Sequence, residues 1–289
     1  MRSKLFLLLA VIFFTGTAWG QENQPRFDSL GSVDWIQKEF NAKISFSLAQ
    51  AGIRLPAGRF LGEEILREAS ARHLRPHLLS IKVDSNSTVR TLVDRGELSM
   101  VDLDRICLEA EKMTSLSQDL SRIIGRYTIP LGKITSLLMK HRTVREPQRP
   151  LIPAQTTDYT GIIIIATEEL PVRGRRAQAL AEPCLFPKIW DSSMNLVYER
   201  NMFEGRDSPI VRYTRAESIF RPTPSGLDGE LAAIAGANPL RILAREVFGI
   251  YPTDLVIDRS DSLRILSSDN NLRLLREGRV IIVLNNAKL

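Results

Sequence analysis

Hydrophobic and polar positions alternate from Ala42 to Leu48, with Ile44, Phe46 and Leu48 on one side and Lys43, Ser45 and Ser47 on the other. A period of two puts each set on its own face, so this stretch is predicted to be a half-buried strand. Gln21 to Ser32 before it has no apolar period and reads as a loose lead-in, with order expected from Trp35 and Ile36. After the Ala51-Gly52 turn and Pro56 the period lengthens. From about Arg59 to Ser80, Leu61, Ile65 and Ala69 recur among Glu63, Glu64, Arg67 and Glu68. That is an amphipathic helix, which Pro76 is expected to kink or end.

Shorter helices are predicted next. Ser87-Thr88 caps one carrying Val89, Leu92 and Val93, with Gly96 as its stop. Ser99 to Asp102 has the form of a capping box, followed by Met100, Leu103, Cys107 and Ala110 on one face. In Leu116 to Pro130 the first half has helical spacing and the second, with Tyr127 and Ile129, favours a strand. Leu131 to His141 is a short helix. Residues 142–157 then change character. Pro147, Pro150 and Pro153 favour an extended chain among Arg142, Arg145 and Arg149.

The most apolar stretch beyond the N-terminus is Tyr159 to Glu168, with four consecutive isoleucines. β-Branched side chains suit a strand buried on both faces, and this is expected to be the first central strand of the C-terminal part. Pro171 to Ala181 reads as a basic loop. Phe186 to Tyr198 reads as a hairpin turning at Asp191–Asn195, and as a neighbour of the isoleucine strand. A short strand at Ile210 to Tyr213, a loop from Ile219 to Gly229 and a helical turn at Leu231 to Ala237 follow. Arg241 to Phe248 and Asp254 to Ile257 read as strands. Ser260-Asp261 caps a helix that is interrupted near 267–271, resumes through Leu275 and stops at Gly278. Arg279 to Leu284 is a final strand and a candidate partner of the isoleucine strand. Strands interspersed with helices make the class α+β: a helix-rich α+β region, then a β-rich region built on the isoleucine strand.

The first 20 residues stand apart from the fold. Arg2 and Lys4 precede an unbroken apolar run from Leu5 to Phe14, and Ala18-Trp19-Gly20 leads to Gln21. This is the layout of a secretory signal cleaved between Gly20 and Gln21, and the run is too short for a comfortable membrane span. No later stretch is apolar enough to span, so no transmembrane segment is expected in the mature chain. The organisation is then a signal peptide at 1–20, an N-terminal region at 21–141, a Pro/Arg-rich linker at 142–157 and a C-terminal region at 158–289. Composition adds little: 44% hydrophobic and 25% charged residues are ordinary for a globular chain. The formal charge of +6 includes Arg2 and Lys4. In an exported protein this basic balance points to anionic envelope material or an acidic protein face rather than nucleic acid.

Candidate chemistry is sparse. His73 and His77 share a helix face, but Pro76 lies between them and, with His141, they complete no metal-ligand set. No metal or cofactor is expected. There is no nucleophile elbow and no phosphate-binding glycine loop. Asp254 and Asp258 lie an even number of positions apart, on one face of a strand, as a paired-acid hydrolase would need; strand-end aspartates more often close turns. Cys107 and Cys184 would permit one disulfide in an oxidising compartment, whereas the core position of Cys107 favours two buried thiols. Arg173, Arg175 and Arg176 form the candidate binding loop. Trp35, Trp190 and Tyr198 are isolated aromatics, expected in packing rather than in a stacking platform.

Tyr159-Thr-Gly-Ile-Ile-Ile-Ile-Ala166, Pro187-Lys-Ile-Trp-Asp191, Val197-Tyr198, Pro252-Thr-Asp-Leu-Val-Ile257 and Gly278-Arg-Val-Ile-Ile-Val283 together carry a resemblance. They resemble the LPP-type, FlgP-like family of flagellar outer-membrane-associated lipoproteins, over residues 159–284. The chain has Ile165 where that family tends to carry an acid, and no lipidation cysteine, so a lipid anchor is not implied. The resemblance implies no catalytic residues. It implies an exported, periplasmic or envelope-associated protein that works by contact with envelope or flagellar-assembly proteins, self-association included. The expected function is therefore structural and non-enzymatic. A binding module for an anionic envelope component and a hydrolase with an acidic site are the alternatives.

Overall fold

The computed structural model describes residues 25–140, 143–205, 209–220 and 229–289. The expected signal peptide and its Gly20/Gln21 junction, His141, Arg142 and the prolines at 222 and 224 lie outside them. The fold is mixed α+β, with the longest helix in the N-terminal half and most strands in the C-terminal half. Among the described residues no helix is long and apolar enough to cross a membrane.

The N-terminal half is a four-stranded antiparallel sheet, β1 (Phe27–Asp34), β2 (Glu39–Ser47), β3 (Glu111–Leu116) and β4 (Arg122–Pro130), in the order β1-β2-β4-β3. Helices α1 (Arg59–Leu79), α2 (Val89–Asp94) and α3 (Met100–Leu108) lie between β2 and β3, and α4 (Leu131–Leu138) follows β4. Phe40, Ile44, Phe46, Ile123 and Ile129 form the buried face, with Leu66, Leu74 and Leu78 of α1 in the same core. Tyr127 passes through this layer and donates its hydroxyl to the Leu66 carbonyl at 3.2 Å.

Three local expectations are corrected here. The supposedly loose lead-in contains β1, held by its antiparallel ladder to β2 rather than by apolar content. Its Gly31 lies so close to α1 that a Cβ would stand 2.7 Å from the His77 ring. The helical spacing from Leu116 to Ile124 is accidental. Leu116 closes β3, and a turn organised by Asp119 leads into β4. Asp119 accepts from the Ser117 and Ser121 hydroxyls at 2.6 Å each, and these bonds bring its pKa down to about 2. Pro76 does not end α1. It falls in the last turn, and the short stub beyond it is held by buried Leu78 and Leu79. The other punctuation is as expected: Thr88 and Thr91 form a reciprocal capping box, and Gly96 stops α2 at φ +72°. Ser99 caps α3 through the Val101 amide, but the expected capping box is not closed, because Asp102 pairs with Arg105 instead of accepting from the Ser99 amide.

The C-terminal half contains β5 (Ile162–Ala166), β6 (Glu169–Pro171), β7 (Gln178–Leu180), β8 (Ile189–Asp191), β9 (Leu196–Tyr198), β10 (Arg212–Arg215), α5 (Ala216–Phe220) and α6 (Gly229–Ala235). After these come β11 (Leu240–Leu243), β12 (Glu246–Phe248), β13 (Asp254–Ile257), α7 (Arg259–Leu266), α8 (Asp269–Arg276) and β14 (Val280–Leu284). The isoleucine strand β5 is central in a parallel sheet of order β10-β14-β5-β11. Parallel strands are covered on both faces, which is why this one is a continuous apolar run. Ile162 and Ile164 enter the main core, and Ile163 joins Ile281, Val283, Leu231 and Ala235 on the opposite side.

The final strand β14 is the partner of β5, as expected, but the β8–β9 hairpin is not its neighbour. That hairpin belongs to a second sheet, β12-β13-β8-β9. Arg241 to Phe248 is likewise not one strand. The Ala244 amide donates to Ile165 in the first sheet, and the next amide, Arg245, donates to Val256 in the second. The chain changes sheets between two residues, which an apolar pattern does not mark. Pro171 to Ala181 is the small ribbon β6–β7 rather than an irregular loop. Helix α7 begins at Arg259, before the expected Ser260-Asp261 cap, and Asp258 stands at its N-cap without a side-chain cap bond. Gly278 closes α8 at φ +66°.

Candidate functional site

The two halves meet along Ser80 to Ser87, a strap between α1 and α2. The Leu185 and Phe186 amides donate to the Lys82 and Val83 carbonyls at 3.1 and 2.8 Å, and the Tyr251 amide donates to the Ser85 carbonyl at 2.9 Å. The Ser85 hydroxyl donates to Asp254 at 2.9 Å. Asp254 is fully buried at the start of β13. It also accepts from Trp190 Nε1 at 3.0 Å and from the Lys188 amide at 3.1 Å. Burial raises its pKa, and these three donors only partly reverse the rise. Nearby, the Tyr213 hydroxyl donates to the Cys184 carbonyl at 2.9 Å, and Trp35 packs edge-on to the Tyr213 ring across the seam.

Two ionic clamps flank this polar bolt. Glu182 receives Lys82 from the strap and Lys288 from the C-terminal end. Glu230 at the start of α6 receives Lys38 from the β1–β2 turn and Arg212 from β10. A cleft of about 210 Å³ beside Glu182 is lined by Trp35, Phe40, His77, Lys82 and Lys288. Burial alone would raise the Glu182 pKa, but the bonds from Lys288 and Lys82 more than reverse it, and it lies below its ordinary value. A depressed carboxyl stabilises the fold above its unfolded pKa of about 4.3 and loses that contribution as pH falls through the folded value. Glu182→Gln is therefore expected to cost about 1–2 kcal/mol at pH 7. The cost should shrink towards zero as urea titrations are repeated down to pH 3; a cost that does not change with pH would remove the clamp from the account.

The residues singled out from the sequence separate in space. Asp254 is enclosed by the donors above, whereas Asp258 is drawn away to Arg245 at 2.7 Å. The two do not form a paired-acid site. Arg173 is not a free cation: it pairs with Glu246 at 2.7 Å and donates to the Ser192 carbonyl at 2.8 Å. Arg175 and Arg176 remain exposed at the ribbon tip beside Gly174 at φ +79°. Cys107 and Cys184 are both free and buried, so no disulfide joins them. Burial pushes the Cys107 thiol up to about 11 and the Cys184 thiol higher still, the reverse of what an activated nucleophile needs. His73 packs against the Phe27 ring at 4.6 Å and His77 contacts the Ser29 hydroxyl, both between α1 and β1. Among the described residues no group of three or more His, Cys, Asp or Glu is placed to hold a metal ion. Trp190 packs edge-on to Phe248, and the buried Tyr198 donates to the Ile210 carbonyl.

Sequence reasoning passed over two outward features. The first is the apolar tip of the 142–157 stretch, which the sequence marks only as a linker and which from residue 143 to 157 is pinned to the C-terminal half. The Arg145 amide donates to the Asn201 carbonyl, Arg149 pairs with Asp269 at 2.7 Å, the Ala154 amide donates to Ser267 Oγ, and Thr156 bonds the Arg264 carbonyl. Buried Asn271 fastens its far end, accepting from the Tyr159 amide and donating to the Thr157 carbonyl. Between these anchors, Leu151 and Ile152 point outward with relative exposures of 101% and 84%. The signal was available: two adjacent aliphatic residues between Pro150 and Pro153. The second feature is a cleft of about 900 Å³ lined by Phe27, Ala49, Ala51, Ile65 and Ala69, with Glu68, Arg72 and His73 on its polar side.

No curated protein matches the chain. Residues 27–137 match the family model described as Treponema pallidum Tp0624, N-terminal domain, and residues 161–286 match that described as Treponema pallidum Tp0624, second domain. Neither description names the FlgP-like lipoproteins that residues 159–284 resemble. The chain is thus similar, half by half and in the same order, to two domains of Tp0624.

Proposed function

We propose that this chain is an exported, non-enzymatic component of the cell envelope that works by protein–protein contact. One observation carries the contact reading: Leu151 and Ile152 are held outward on a traverse fastened at both ends. Large aliphatic side chains on a pinned surface loop are wasted in water and well suited to a partner's pocket. The support for export is the basic and apolar layout of residues 2–20, and the FlgP-like resemblance suggests a flagellar setting. The test is affinity capture from intact envelope with the wild type and with the Leu151→Asp, Ile152→Asp double variant. Envelope proteins should co-purify with the wild type and be lost with the variant. A wild type that stays monomeric, diffuse and without partners would overturn the proposal.

A second reading has its own observation, the exposed Arg175 and Arg176 at the ribbon tip. In this reading the tip meets an anionic envelope component. Retention of the protein on anionic envelope material should then fall with salt and be lost in Arg175→Gln, Arg176→Gln, with unchanged thermal stability. Retention that is insensitive to salt would dismiss it.

A further inference from the structure

We propose that the cleft of about 210 Å³ at the seam between the halves binds a small organic carboxylate, with one acid group and a compact apolar body. The proposal is independent of the Leu151–Ile152 loop. Val33, Trp35 and Lys82 line the cleft from the N-terminal half, and Glu182, Pro183 and Lys288 from the C-terminal half. Junctions between packed units are favoured places for ligand sites. At this volume the cleft lies below the roughly 300 Å³ at which sites for drug-sized ligands begin, so its occupant is small.

The polar groups of the lining select an anion. At neutral pH they include two ammonium groups, Lys82 and Lys288, and one carboxylate, Glu182, so one positive charge is left over. Glu182 is ionised there, its pKa lying below the ordinary value despite burial. An ammonium group has three N–H donors. Each lysine spends one on Glu182 and makes no other hydrogen bond among the described residues. Their side chains are 31% and 33% exposed, which leaves the remaining donors accessible. The Trp35 indole N–H and the Ser32 hydroxyl also lack a hydrogen-bond partner among the described residues. A carboxylate brings two acceptor oxygens to these donors, and charge-assisted bonds of this kind are the strong ones. The rest of the wall is apolar, from Val33, Trp35, Phe40 and Pro183, and it suits an organic acid better than an inorganic anion.

The charged groups are held in place before any ligand arrives. The Glu182 amide donates to the Pro252 carbonyl at 2.9 Å, and the Lys288 amide donates to the Asn285 carbonyl at 3.0 Å. Lys82 stands over the Tyr251 ring, 5.7 Å from its centre. A fixed set of donors gives up little freedom on binding. The lining is complete only when the two halves are docked. A ligand there binds the folded chain alone and raises its melting temperature in proportion to the logarithm of ligand concentration above the Kd.

Sodium benzoate is the probe, with benzamide as its neutral counterpart and inorganic phosphate as the anion without an apolar body. Calorimetric titration of the wild-type chain at constant ionic strength should give one saturable benzoate site in the millimolar range or below. Benzamide and phosphate should each bind at least about tenfold more weakly, the equivalent of one charge-assisted hydrogen bond. Lys288→Met should weaken benzoate by a similar factor. Ser32→Trp, which fills the cleft from an exposed position on β1, should abolish binding and leave the ligand-free melting temperature unchanged. Glu182→Gln should tighten benzoate several-fold, because it removes the carboxylate that competes for both lysines; a cleft that is only a structural clamp predicts no such gain. The absence of saturable benzoate binding, equal affinity for benzamide or phosphate, or binding that survives Ser32→Trp would overturn the proposal.

Discussion

Replacing Asp254 by alanine is expected to lower the unfolding free energy by about 3–5 kcal/mol and the melting temperature by roughly 10 °C. Three donors would lose their acceptor at once: Ser85 Oγ, Trp190 Nε1 and the Lys188 amide. Lost hydrogen bonds are modest in net energy, but buried donors without partners pay their full desolvation penalty. The penalty falls on both halves, because Ser85 belongs to the strap while the other two donors lie in or just before β8. The pH dependence has a definite sign. Burial raises the Asp254 pKa. A raised carboxyl contributes stability that is fully present below its unfolded pKa of about 3.9 and is lost as pH rises through the folded value. Asp254→Asn has no such titration, so its deficit relative to wild type should be largest in acid and should narrow towards neutrality. Urea unfolding from pH 3.5 to 8 reads this directly. A deficit that widens with pH would mean that Asp254 is stabilised as the anion.

Gly249→Ala is expected to cost about 3 kcal/mol or more, for a related reason. Gly249 has φ +114°, where a side chain is strained, and an added Cβ would fall 2.3 Å from Ser85 Cβ and 2.8 Å from the Ser85 and Tyr251 carbonyl oxygens. Two of these three are backbone atoms, so relief requires moving the strap. Gly52→Ala is the control. Gly52 has φ +68° with nothing within 4 Å of the added Cβ, so only the backbone strain of about 1 kcal/mol is charged. Gly249→Ala combined with Asp254→Ala should fall short of additivity, since both act on Ser85. Full additivity in thermal or urea unfolding would mean that the strap is not one unit.

What could be read along the chain follows from how each element is satisfied. Elements that bury a stripe of their own side chains declare it only in part: β2 by periodicity and β5 and β14 by unbroken aliphatic runs, whereas α1 is legible as a helix but buries Gly62, Leu66, Ser70, Leu74 and Leu78 instead of the expected stripe of Leu61, Ile65 and Ala69. Elements held mainly by a neighbour's backbone do not. β1 takes its place from the ladder to β2, and the turn between β3 and β4 from the Asp119 carboxylate. The candidate site was less legible than the fold. Arg173, Arg175 and Arg176 are adjacent in the chain, yet Arg173 is consumed by Glu246, a residue 73 positions away. Asp254 and Asp258 share a strand pattern but answer to different partners. Conversely, Leu151 and Ile152 sit in a proline-rich stretch that composition assigns to a linker. Only the anchors at Ser267, Asp269 and Asn271 make that stretch a fixed feature of the surface.

The sequence by itself determined the α+β class, the central isoleucine strand and most helix boundaries. These are consequences of local burial patterns and caps, which a chain carries wherever it goes. Only the tertiary structure decided which strands share a sheet, where the chain crosses between sheets at Ala244 and Arg245, and that Ser85, Gly249 and Asp254 meet. Those outcomes depend on hydrogen-bond partners and close approaches between residues as much as 169 positions apart. Such contacts leave no period in the sequence, because the energy that rewards them appears only when both partners have lost their water.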